Sequence, residues 1–211
     1  MKFFLTMMKM EINQRTYLGL LAVLTLIFGA GCTSLIPIYA VCPKGWPVIV
    51  DPPGNLSGDR TRTYMDILQT TIWPEGEYCV LEVETASPLP RAWEMSGGKR
   101  LDFIWFVDID KSRSTGQTAA GNDYNIHLFL DESGWHTSWM KVSDLSKGDA
   151  ITINPDDIHF LVGGPRARLI FPRSYLPSSS FEMWATCTST NSENWPPLTV
   201  NPHTKRMVFS F

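Results

Sequence analysis

The residues best placed to do chemistry are three aspartates. Asp108 and Asp110 stand two apart in an apolar run, so on an extended strand their side chains share one face. Asp123 precedes the next such run, and a hairpin would return it to the same end of the sheet. Closely spaced carboxylates, completed by carbonyls between Lys111 and Gly116, are the oxygen-rich surroundings that calcium prefers. Calcium is therefore the candidate cofactor. The competing reading is that the three cap turns by accepting backbone N–H bonds. No D-x-D-x-D-G run is present, so this is not an EF-hand loop. A second set is aromatic: Trp135 and Trp139, four apart after Gly134, and Trp93 between Arg91 and Glu94. Exposed, these rings could stack on sugar faces, which makes them the candidate ligand-binding residues, against the reading that they anchor core or loops.

Signatures of catalysis are missing. There is no G-x-S-x-G, no H-E-x-x-H and no Gly-rich phosphate loop. The pairs Asp131-Glu132 and Asp156-Asp157 fall at the ends of strand-like runs, and the four histidines have no spacing that suggests a metal. No catalytic residue is assigned, and a hydrolase is the least favoured function class. A net charge of −3 with scattered basic side chains leaves no footprint for nucleic acid.

The elements that would position these residues are strands. Leu101, Phe103, Trp105 and Val107 alternate with Asp102, Ile104, Phe106 and Asp108. Tyr124, Ile126, Leu128 and Leu130 alternate with Asn125, His127, Phe129 and Asp131. Period 2 with β-branched and aromatic residues predicts strands over Leu101–Val107 and Tyr124–Leu130. Similar runs cover Asp66–Ile72, Tyr78–Val83, Ile158–Val162, Arg166–Phe171 and Phe181–Thr186, with turn signals such as Trp73-Pro74-Glu75-Gly76 and Gly163-Gly164-Pro165 between them. Trp105 and Trp184 read as core. The fold class expected is all-β: a two-sheet antiparallel β-sandwich, jelly-roll-like, of about eight strands.

The run Phe106 to Gly116, F-V-D-I-D-K-S-R-S-T-G, followed by Gly121-Asn122-Asp123-Tyr124-Asn125-Ile126, resembles secreted bacterial β-sandwich domains of the family-9 carbohydrate-binding-module and DOMON-like type. Asp51-Pro52-Pro53-Gly54 and Phe171-Pro172-Arg173-Ser174-Tyr175-Leu176 also fit, and the resemblance covers residues 48–190. It implies a sandwich fold and a non-catalytic role outside the cytoplasm. Sugar binding does not follow from it, because fold alone does not fix function.

At the N-terminus, Lys2, Lys9 and Arg15 precede the apolar stretch Tyr17 to Gly31, which ends in small residues before Cys32. A basic region, a short apolar region and a small-residue break form an export signal. Cys32 at the break resembles the acylated cysteine of bacterial lipoproteins and is the expected lipid-attachment residue. A plain secretory signal or an uncleaved anchor running to Cys42 are the alternatives. The expected organisation is an export signal over residues 1–31, a tether over 32–47 and the sandwich over 48–211. With Cys32 acylated, Cys42, Cys79 and Cys187 remain. A Cys79–Cys187 bridge, a bridge from Cys42 to either, and a buried free Cys79 all stay open. The expected protein is an extracytoplasmic lipoprotein, periplasmic or at the cell surface, held to the membrane by an N-terminal lipid. Its sandwich binds a glycan or another envelope component, or serves as an interaction subunit of an envelope assembly.

Overall fold

The computed structural model describes residues 40–92, 100–116, 121–144, 149–153, 155–190, 199–201 and 204–211. The described strands, in chain order, are β1 (Ile49–Val50), β2 (Ile67–Glu75), β3 (Tyr78–Thr85), β4 (Arg100–Asp108), β5 (Tyr124–Asp131), β6 (Gly134–Asp144), β7 (Asp149–Ile153), β8 (His159–Gly163), β9 (Arg166–Pro172), β10 (Ser180–Thr190), β11 (Thr199–Asn201) and β12 (Met207–Ser210). All pairings are antiparallel. One sheet runs β1-β2-β3-β9-β8; the other runs β11-β10-β4-β5-β6-β7, with β12 also on β10. The protein is a two-sheet antiparallel β-sandwich. Among the described residues only short 3-10 turns interrupt the strands, and no helix is long and apolar enough to cross a membrane.

The alternation seen in the sequence sets the core. Leu101, Phe103, Trp105 and Val107 of β4 meet Tyr124, Ile126, Leu128 and Leu130 of β5 in register, and all are buried. Cys79, Leu81 and Val83 of β3, with Ala167, Leu169 and Phe171 of β9, form the facing layer of the same core. Across the gap, the Trp105 indole N–H donates to Thr70 Oγ1 (2.8 Å), giving both buried polar groups a partner.

The structure adds to the sequence expectation in three places. The strands exceed eight because β6 and β7 extend the β4–β5 meander, while β11 and β12 edge the sheet beside β10. Thr204 bridges the latter two: its N–H donates to Ala185 O (2.8 Å), and its hydroxyl accepts from Ala185 N–H (3.0 Å). Trp184 is buried as expected, though on the outer face of the seven-stranded sheet rather than between the sheets, stacked on Phe106. Part of the expected tether also packs on the domain. Trp73, Val80 and Ile170 form a row on the outer face of the five-stranded sheet, covered by Ala40, Cys42 and Trp46. The Trp46 indole N–H donates to Ile72 O (2.6 Å), and Arg168 Nη1 donates to Ala40 O (2.8 Å). Three adjacent apolar side chains on an outer face need such a cover, which explains why the chain before Val48 lies down on the sheet.

Candidate functional site

The three aspartates converge. Asp108 ends β4, Asp110 lies in the following loop, and Asp123 precedes β5; one carboxylate oxygen from each lies within 4.8 Å of the others. The hairpin is drawn tight by its glycines. Gly116 has φ +64°, and a Cβ there would collide with Asn122 O; Gly121 has φ +74° and would meet Ser112 O at 2.8 Å. Both positions exclude a side chain for reasons of space as well as conformation. Lys111 also adopts a positive φ of 58°.

Each carboxylate is held differently. Asp110 accepts from Ser112 N–H (2.9 Å) and from the Thr115 hydroxyl (2.8 Å), and the Thr115 bond heads the contacts that hold its pKa below the usual value. Asp123 accepts from Ile109 N–H (2.8 Å), yet burial pushes its pKa up. Asp108 is wholly buried, and neither of its oxygens accepts a well-formed hydrogen bond. Burial raises it to about 6; the Lys111 backbone opposes the rise, and Asp123 and Asp110 add to it. Its ion pair is with Arg206 Nη1 at 3.7 Å, a guanidinium shared with Glu182 at 3.5 Å. Asn122, also buried, gives its amide to Asn125 while its Oδ1 stays unbonded.

The tryptophans do not form the expected platform. Trp139 has no exposed surface: it points between the sheets, edge-on to Phe171 at 4.7 Å. Trp135 is partly buried, stacks on Phe103 at 6.5 Å and gives its indole N–H to Pro90 O (3.2 Å). The cause is register. Trp135 and Trp139 lie opposite Leu130 and Ile126 on β6, and so inherit the inward face of β5. Trp93 and Cys32 lie outside the described residues. Cys79 and Cys187 are buried free thiols, and burial raises Cys79 to about 12. Cys42, also free, packs on the opposite face of the sheet from Cys79.

A second constellation escaped the sequence reading. On the outer face of the seven-stranded sheet, Thr186, Ile104, His127 and Ser138 lie in one row, and Thr188, Asp102, Phe129 and His136 in the next. His127 Nδ1 lies 3.1 Å from Asp102 Oδ1, and Arg100 donates to Asp102 Oδ2 at 2.8 Å while lying 3.8 Å over the Phe129 ring. Arg206 lies 3.5 Å over Trp184 in the same manner. His127 Nε2 is buried without a hydrogen-bond partner, so the Asp–His pair does not extend to Ser138 as a nucleophile would require. The outward alternation of Asp102 and His127 was legible; their meeting depended on the β4–β5 register.

No protein-family model matches this chain, and no curated protein matches it.

Proposed function

We propose that this chain is an exported, lipid-anchored and non-catalytic binding module, which takes a glycan or another polar envelope component on the outer face of its seven-stranded sheet. One observation carries the reading. His127, oriented by Asp102 at the middle of that face, keeps a buried Nε2 with no partner. Buried polar atoms are nearly always satisfied, and a ligand hydroxyl arriving there would supply the missing bond. The surroundings suit a hydroxylated ligand. Ser138 lies opposite His127, Thr186 and Thr188 stand on the same face two strands away on β10, and the aromatic rings of Phe129 and Trp184 are capped by guanidinium groups rather than bare. The resemblance of Phe106–Ile126 to carbohydrate-binding sandwiches agrees with this reading.

The interaction-subunit reading draws on a different feature. Edge strand β8 leaves Phe160 and Leu161 exposed at 38% and 40%, with no Lys, Arg, Asp or Glu in His159–Gly163 to deter another strand. A glycan array separates the two. Wild-type chain retained on polysaccharide, with His127→Ala and Arg100→Ala each weakening retention at least tenfold, supports the binding face. Absence of retention on any glycan overturns the glycan assignment and leaves the interaction reading.

A further inference from the structure

The acidic end of the β4–β5 hairpin is independent of the outer face and carries its own conclusion. Three carboxylates with oxygens within 4.8 Å of one another repel unless something neutralises them. Turn capping accounts for Asp110 and Asp123, whose oxygens accept from Ser112, Thr115 and Ile109. It does not account for Asp108. That side chain has no exposed surface, and neither of its oxygens accepts a well-formed hydrogen bond. An ionised carboxylate withdrawn from water is costly unless paired, and the guanidinium 3.7 Å away is divided between Asp108 and Glu182. This is separate from the clustering: a wholly buried carboxylate without a well-formed hydrogen bond brings an oxygen within 4.8 Å of those of two others.

We infer that Asp108, Asp110 and Asp123 form a binding site for a hard divalent cation, and that the cation is calcium. The donor set is entirely oxygen, with no His or Cys in the cluster, which disfavours zinc and other softer metals. Calcium takes about six to eight oxygen ligands, several of them carboxylates, whereas magnesium gives up its waters reluctantly and is usually held by one or two carboxylates, so three converging carboxylates favour calcium. Asn122 Oδ1, buried and unbonded beside Asp123 in the chain, is a further oxygen of the right type.

The test uses the full chain after EDTA treatment. Terbium luminescence sensitised by the protein's aromatic residues should saturate at one ion per chain and be displaced by calcium chloride. Calcium at a hundredfold excess over its Kd should shift the folding equilibrium about a hundredfold, a Tm rise of roughly 5–10 °C for a chain of this size. The doubly substituted Asp108→Asn, Asp110→Asn chain should keep its β-sheet circular dichroism and lose the rise. Should that variant fail to fold, the terbium titration of the wild type decides alone. No saturable terbium binding, or an equal Tm rise from sodium chloride at matched ionic strength, overturns the site. An equal response to magnesium overturns the choice of calcium.

Discussion

At the scale of single residues, Asp108 sits in surroundings that a carboxylate resists: wholly buried and without a well-formed hydrogen bond. Its carboxyl titrates near 6 in the folded chain, above the ordinary value of 3.8, chiefly because it is buried. In the metal-free protein the folded state therefore binds more protons than the unfolded one between about pH 4 and 6. Asp108's favourable contribution is complete below the unfolded value and is lost as pH rises through about 6. Thermal melts in EDTA should show Asp108→Asn removing a decline in Tm over that interval; an unchanged profile would place the decline in other groups. The spacing of Asp108, Asp110 and Asp123 was visible in the sequence because alternation fixes which residues share a face. The burial of Asp108 was not, since it depends on Arg206 and β10, far away in the chain. Trp139 teaches the converse. Its four-residue spacing from Trp135 suggested an exposed pair, but even spacing on a strand gives one face, and that face was inward.

At the scale of elements, the strands with strict apolar alternation were legible almost to the residue, and β4 and β5 differ from expectation only at their ends. Strands β6, β11 and β12 were not legible, because a strand completed by cross-strand partners needs no strong pattern of its own. Nor could the sequence show that residues 40–47 form a cover, since the face they protect is assembled from β2, β3 and β9. The cover should have a measurable weight. Trp46 is partly buried, donates to Ile72 O at 2.6 Å and stacks with Phe211 at 6.3 Å. Replacing it with alanine removes apolar contact and one hydrogen bond, together worth about 1–3 kcal/mol. Urea unfolding of Trp46→Ala should show a lower midpoint by that amount with little change in slope. A midpoint equal to the wild type's would mean that residues 40–47 lie on the sheet without stabilising it.

At the scale of the molecule, the closeness of this cover to Cys32 gives the anchoring proposal a physical consequence. Eight residue steps separate Cys32 from Ala40, a reach of at most roughly 29 Å even if fully extended. Because Arg168 and the outer apolar row engage the chain from Ala40 onward, little slack would remain between an acylated Cys32 and the domain. An acylated Cys32 would tether the sandwich by no more than that reach. Cleavage before Cys32 makes a definite prediction. Mass spectrometry of the chain from its native membrane should find Cys32 at the N-terminus carrying acyl groups, and Cys32→Ala should move the protein from the membrane fraction or leave it unprocessed. A chain that begins at Met1, or one cut at another position, would remove the lipid from the proposal. The chain would then be a secreted domain or one held by a longer anchor, and the reach from residue 32 would no longer limit its distance from a membrane.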